Sequence, residues 1–381
     1  MKKTRVVIAM SGGVDSSVAA ALLVEQGYDV VGIMLRLWAE EGSDAYGQPN
    51  SNRCCAPEAV ADARAIAKLL GIPFYDVHAE QVFKQKVVDP WVGAYAEATT
   101  PNPCFNCNRS IRFGFLMQRA LALGADYMAT GHYARVTNSE IDSSNAEPGT
   151  RTFKLLKGHD EKKDQSYVLH VLGQKDLRRA MFPCGGFVKA EVRELARKFN
   201  LPTAERAESQ DLCFLTQGDY RGFLTRQKPE VAAPGPIVTA SGVEIGRHEG
   251  LPYYTVGQRK GLNITVNSAD SPPLFVLKLD AARNTLIVGA ADELGSRRAF
   301  VGAMHYCADV APNAPLRCTA KVRYKAKEAS GLLRPLPNGN AEFEFDAPQR
   351  DVTPGQGLVC YLGDEVIGGG VCSSRRVESR E

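Results

Sequence analysis

Short apolar runs alternate with amphipathic stretches along the first half of the chain. Residues 6–10, 29–35, 73–78 and 125–130 are brief and apolar and predict strands, while residues 18–23, 56–70 and 110–123 carry helical spacing. Such alternation predicts an α/β domain whose parallel sheet is covered by helices on both faces. Ligands of these sheets gather at the carboxyl ends of the strands. The polar insert 138–150 predicts an exposed loop, and residues 189–199 a charged amphipathic helix closed by Asn200-Leu201-Pro202. Near Gly218 the period changes. Pro and Gly recur, and the apolar segments become short and β-branched at 274–279, 285–288, 318–324 and 358–361, which predicts a mainly β second half built as one or two small barrels.

Length fits this division, because 381 residues exceed one ordinary core. With 44% hydrophobic and 23% charged residues the composition is that of a folded globular chain. The sequence holds no run of about 18 apolar residues, and Met1-Lys2-Lys3-Thr4-Arg5 leads straight into a strand. A cytoplasmic protein with no membrane segment is the expectation. In that setting ten cysteines point to redox, metal or nucleophilic chemistry more than to a disulfide scaffold. A net charge of +3 names no polyanionic partner by itself.

The most informative segment is Met10-Ser11-Gly12-Gly13-Val14-Asp15-Ser16-Ser17, set between a predicted strand and a predicted helix. Two glycines allow close backbone approach to an anion, and the serines add hydroxyls at a helix N-terminus. No Gly-Lys-Ser/Thr follows, so the loop is not a mononucleotide P-loop. Asp15 would repel a phosphate unless a cation lay between them, which favours pyrophosphate bridged by Mg²⁺. Among the cysteines, Cys104 and Cys107 form a Cys-x-x-Cys within 101–109, whose two prolines predict a rigid loop entering a helix at Ser110. Cys107, near that helix start and close to Arg109 and Arg112, is expected to have a lowered thiol pKa. Half of a zinc site or a packing pair accounts for the same motif about as well. Cys54 and Cys55 are adjacent, and Cys213 taken alone reads as a buried core cysteine.

Seven segments occur in one order: Ser11-Gly-Gly-Val-Asp15-Ser16, Thr100-Pro-Asn102-Pro-Cys104-x-x-Cys107-Asn108, Ala129-Thr-Gly131-His132-Tyr133, Lys163-Asp164-Gln165-Ser166-Tyr167, Asp211-x-Cys213-Phe214, Thr255-x-Gly257-Gln258-Arg259-Lys260-Gly261-Leu262 and Thr353-Pro354-Gly355-Gln356. Together they closely resemble the bacterial tRNA-specific 2-thiouridylase family of pyrophosphate-loop, ATP-dependent enzymes. The likeness spans about residues 6–371 and implies three parts: a catalytic domain at 1–218, a small mainly β domain at 219–289 and a tRNA-contacting β-barrel at 290–381. It also implies that ATP, with Mg²⁺, adenylates the C2 oxygen of the wobble uridine and that a cysteine persulfide then replaces that oxygen by sulfur. Carried over by motif, Cys213 bears the persulfide. Cys107 attacks the persulfide as the product leaves and closes a Cys107–Cys213 disulfide. Thiolate attack on a sulfur–sulfur bond requires two such cysteines brought together.

By the same resemblance, ATP contacts fall on Ala9, Met10, Ser11, Gly12, Gly13, Val14, Asp15, Ser16, Leu35 and Gly131. Leu35 stands where the family often has methionine and is expected to pack on adenine or to contact it through the backbone. Asn102, Pro103 and Cys104 correspond to the loop that meets the target base. Many members carry Asp at position 104, and the cysteine here admits a second route in which Cys104, Cys107 and Cys213 hold a [4Fe-4S] cluster with one open iron. Further tRNA contacts transfer to Lys163, Asp164, Gln165, Arg323 and Tyr324. Residues 317–327 hold five basic residues and no acidic one; on a strand, Lys321, Arg323, Lys325 and Lys327 would line one face and track a phosphate backbone. The implied partners are wobble-uridine tRNAs for Lys, Glu and Gln, and a cysteine desulfurase or sulfur-relay protein. An adenylating ligase would need no cysteine pair, and a non-catalytic RNA-binding protein with a structural metal would show no ATP–pyrophosphate turnover.

Overall fold

The computed structural model describes residues 2–40, 57–140, 151–206, 212–215, 219–262, 264, 272–350 and 352–373. Cys54, Cys55 and Asp211 lie outside them. Five strands make a parallel sheet in the spatial order Phe74–His78, Asp29–Arg36, Arg5–Ala9, Tyr127–Ala129, Ala180–Met181. Strand Arg5–Ala9 pairs in parallel with Asp29–Arg36 on one side and Tyr127–Ala129 on the other. The winding reverses there, and the crevice of such a sheet opens at this switch point.

Both faces are covered, as the alternating pattern predicts. Helices Val14–Glu25, Pro57–Leu69 and Lys189–Lys198 close one face over Val6, Ile8, Val18, Leu23 and Ile66. On the other face lie Val7, Ile33 and Met128, packed against Phe113, Leu116 and Met117 of a helix that runs from Pro103 to Ala122. Its central part, Cys107–Leu116, is π-helical. The expected loop at 101–109 is therefore corrected: the helix begins at Pro103, six residues before Arg109. Asn102 caps it by accepting from the Cys104 amide at 3.0 Å, and Pro103 fills the first turn, where its missing N–H costs nothing.

The second half is β-rich. Strands Gly235–Thr239, Glu244–His248, Phe275–Asp280 and Thr285–Gly289 form a four-stranded sheet, whose core residues Ile237, Val276 and Val288 merge with Phe83, Trp91 and Phe214. Six later strands close into a barrel, with Ser296–Tyr306 pairing both Asn340–Gln349 and Glu365–Ser373. A hairpin of the first half, Ala134–Glu140 with Arg151–Lys157, joins the barrel sheet through Glu365 and Leu156. The expected loop at 138–150 is thus a strand as far as Glu140, and its remainder lies outside the described residues.

The basic stripe also needs correction. Strand Leu316–Lys321 ends at the first of the four alternating positions, and residues 322–328 form a turn. Arg323, Tyr324, Lys325 and Lys327 are exposed on that turn, whereas Lys321 points inward. No helix among the described residues is long and apolar enough to cross a membrane.

Candidate active site

The loop from Met10 to Gly13 leaves strand Arg5–Ala9 at the switch point and enters helix Val14–Glu25 with Gly13 as an N-cap lacking any side-chain cap bond. Backbone N–H groups at this end are therefore directed toward the crevice. Gly12 adopts φ +70°, and a Cβ there would lie 2.5 Å from the Ala59 carbonyl oxygen. Only glycine fits that position. Gly131, after strand Tyr127–Ala129, presses on the loop from the other side, where a Cβ would lie 2.6 Å from the Ser16 amide nitrogen.

The serine hydroxyls act differently from expectation. Ser17 Oγ donates to the Gly13 carbonyl at 2.7 Å and Ser16 Oγ to the same oxygen at 3.1 Å, and both residues are buried. They brace the turn from within: Ser16 Oγ also accepts from the Ser11 amide at 3.2 Å, and Ser11 Oγ accepts from the Gly13 amide at 3.4 Å. Asp15 carries a cation that sequence spacing does not reveal: Lys189 Nζ lies 2.6 Å from Oδ1, and the Tyr133 hydroxyl donates to the same oxygen at 2.7 Å. Arg206 donates to the Gly12 carbonyl at 2.9 Å and pairs with Asp62. Lys189 and Arg206 thus bring two positive groups to a loop whose own sequence holds only Asp15.

Leu35, near the end of strand Asp29–Arg36, is half-buried between two cores. Beside Gly131, His132 is buried and its Nε2 lies 2.8 Å from Arg112 Nη1, while Nδ1 lies 2.7 Å from Thr130 Oγ1. Arginine has only donors, so Nε2 accepts and Nδ1 carries the ring proton. Burial and the Arg112 charge hold His132 well below the usual histidine range. Its acceptor nitrogen is already engaged, which argues against duty as a general base. Arg112 belongs to the cysteine helix and also donates to Asn108 at 3.2 Å, so it ties that helix to the segment bordering the phosphate loop.

Cys107 and Cys213 are both partly exposed and pack on the same apolar cluster around Phe83, Trp91 and Phe214. The fold therefore converges two cysteines more than a hundred residues apart in the chain. Cys104 is partly exposed as well, and desolvation, then the neighbouring Cys107, push its thiol up to about 11. It is a poor thiolate at neutral pH. Among the described residues no three His, Cys, Asp or Glu side chains come together as a metal-binding group.

Residues 4–217 match the family model described as the tRNA methyl transferase HUP domain, 221–290 its PRC-barrel domain, and 296–372 the aminomethyltransferase beta-barrel domain. Full-length relatives are more specific. A tRNA-specific 2-thiouridylase MnmA of Moorella thermoacetica is 45% identical over 367 residues, covering 96% of this chain and 99% of its own. Its namesake in Chloroflexus aurantiacus is 46% identical over 365 residues, covering 96% and 97%. The chain belongs to the tRNA-specific 2-thiouridylase family.

Within this thiouridylase fold, the residues expected to meet RNA divide by exposure. Arg323 and Tyr324 lie on the barrel turn, with the Tyr324 ring 6.2 Å from that of Tyr167. Tyr167 in turn lies 5.4 Å from Phe105, between the two cysteines of the Cys-x-x-Cys. Lys163 is partly exposed, and the Gln165 side-chain oxygen accepts from the Tyr133 amide at 3.0 Å. Asp164 lies below the surface, accepting from Gly158 N, Ser166 N and Ser166 Oγ at 2.9–3.1 Å, with Lys321 Nζ 3.6 Å away. Asn102 and Pro103 start the cysteine helix, and Pro103 is buried.

Proposed function

We propose that this chain converts the wobble uridine of tRNA to 2-thiouridine in the cytoplasm, consuming ATP. The supporting observation is that the Arg112–His132 contact ties the helix bearing Cys107 to the segment beside Gly131, which itself packs on the glycine loop at the sheet switch point. Ala9, Met10, Ser11, Gly12, Gly13, Val14, Ser16 and Gly131 hold the triphosphate through backbone groups, and Leu35 packs against the adenine. Asp15 is a hard oxygen ligand at the loop and suits Mg²⁺, which when bound offsets phosphate charge.

The uridine C2 oxygen attacks the α-phosphorus and pyrophosphate leaves, which turns a poor leaving oxygen into a good one. The terminal sulfur of a Cys213 persulfide attacks C2 and AMP departs, giving a C2–S–S–Cys213 adduct. Cys107 thiolate then attacks the Cys213 sulfur, releases 2-thiouridine and closes a Cys107–Cys213 disulfide. A dithiol reductant returns two electrons for the next turnover. Arg323 and Tyr324, together with the Lys163–Asp164–Gln165 turn, hold the anticodon arm, while Asn102, Pro103 and Cys104 meet the extruded base. The substrates are the tRNAs for Lys, Glu and Gln, and a cysteine desulfurase or sulfur-relay protein recharges Cys213.

Incubating the protein with ATP, Mg²⁺, a persulfide donor, a dithiol and unmodified tRNA, followed by nucleoside mass spectrometry, tests this. The expected product is 2-thiouridine, absent with Cys107→Ala or Cys213→Ala. Full activity in both variants would replace the thiol route with an adenylating reaction that needs no cysteine.

A further inference from the structure

The cation on Asp15 creates a conflict of charge that the proposed use of ATP sharpens. Lys189 Nζ sits 2.6 Å from Asp15 Oδ1, its side chain is only 12% exposed, and the Tyr133 hydroxyl shares the same oxygen. Held this way, Asp15 and Lys189 together add no net charge to the loop. An arriving nucleotide carries several negative charges and its own divalent cation, for which Asp15 is a natural oxygen ligand. A carboxylate taken by that ion attracts the ammonium less, and the phosphates attract it more.

We propose that Lys189 is an exchanging cation of the phosphate cradle: it neutralises Asp15 in the empty enzyme and turns to the β- and γ-phosphates when Asp15 engages Mg²⁺. This rests on the reading of the loop as an ATP site. Three features suit Lys189 to the exchange. Its backbone is fixed, since its amide donates to Asp160 Oδ2 at 2.9 Å and it opens helix Lys189–Lys198. Its side chain is a flexible stem with a compact charge, suited to trading one oxygen partner for another. Its Nζ lies 5.7 Å from the Tyr133 ring centre, a face that favours a cation along the way. When pyrophosphate leaves, Lys189 follows its charge and then returns to Asp15.

Calorimetric titration of Lys189→Met and Lys189→Arg with Mg·ATP, Mg·pyrophosphate and AMP tests the exchange without relying on turnover. Lys189→Met is expected to weaken ATP and pyrophosphate by about tenfold or more, leave AMP within about twofold, and recover most of the loss with arginine. AMP lacks the β- and γ-phosphates and so reports whether the loop is still formed. Equal loss of all three ligands together with a lower melting temperature would make Lys189 a structural brace and overturn the proposal, as would unchanged binding of all three. If the unsubstituted protein itself binds neither ATP nor pyrophosphate, the ATP reading of the loop fails before Lys189 is in question.

Discussion

Gly131 carries a steric demand that no hydrophobic pattern expresses. Its missing side chain lets the segment after strand Tyr127–Ala129 lie against the Ser16 amide, in the turn proposed to hold the phosphates. Gly131→Ala should displace the loop and weaken ATP more than about tenfold in a binding titration, with a much smaller change in melting temperature. His170 supports a second prediction. It is buried, its Nδ1 donates to the Tyr167 carbonyl at 2.8 Å and its ring packs edge-on to Phe105, while burial lowers its pKa to about 3. Below about pH 6.5 the unfolded chain binds a proton at this residue that the native state refuses until about pH 3. Stability should therefore fall with decreasing pH across that window, by about 1.4 kcal/mol per pH unit from this residue. In His170→Asn, urea unfolding between pH 6.5 and 4.5 should lose about that much of its slope. The glycines, Asp15 and the Cys104–Cys107 pair stood out in sequence because they sit in contiguous motifs, whereas Cys213 was singled out only by the family resemblance. Lys189 was not, since its contact with Asp15 spans 174 positions and its own surroundings read as a solvated helix.

The cysteine helix shows how a correct motif can suggest the wrong local structure. Two prolines and a Cys-x-x-Cys read as a loop, yet Asn102 followed by Pro103 is also a helix start, an N-cap with proline at the first turn. Tertiary packing of Phe105, Ile111 and Phe113 settles the choice. Asn102→Ala should cost about 1 kcal/mol in chemical denaturation through loss of the cap. It should also quicken alkylation of Cys107 by iodoacetamide, because the first turns fray. The barrel turn is the reverse case. Alternating basic residues matched a strand, but the strand ends at Lys321, where Asp164 and Glu328 draw the ammonium inward at 3.6 and 3.9 Å. Periodicity carries no information about which charge finds a partner from another part of the chain.

Across the whole molecule the three parts meet at one residue. The Thr100 amide donates to the Pro354 carbonyl at 3.0 Å, its carbonyl accepts from Gln356 Nε2 at 2.7 Å, and its hydroxyl lies 3.4 Å from that of Thr255. Catalytic domain, middle sheet and barrel thus all touch the residue two positions before the cap of the cysteine helix. The division between an α/β half and a β half was visible in sequence, whereas this junction was not, because its side-chain contacts span 155 and 256 positions. It bears on RNA binding, since the exposed turn and the buried charges lie on the same barrel. Replacing Arg323 or Lys325 by Gln should reduce the slope of log affinity for tRNA against log salt by about one each. Lys321→Met should leave that slope unchanged and lower the melting temperature by uncovering Asp164.

The hairpin Ala134–Glu140 with Arg151–Lys157 belongs to the first half by sequence and to the barrel sheet by hydrogen bonding. Lys157 adds an ion pair to Glu328 at 2.5 Å and lies over the Tyr361 ring. A chain cut at Gly295 and expressed as two separate pieces should therefore reassemble on mixing, the hairpin of one recruiting the barrel of the other. The domains are successive along the chain, yet each completes its neighbour, so a gene split at that point would still yield a single working body.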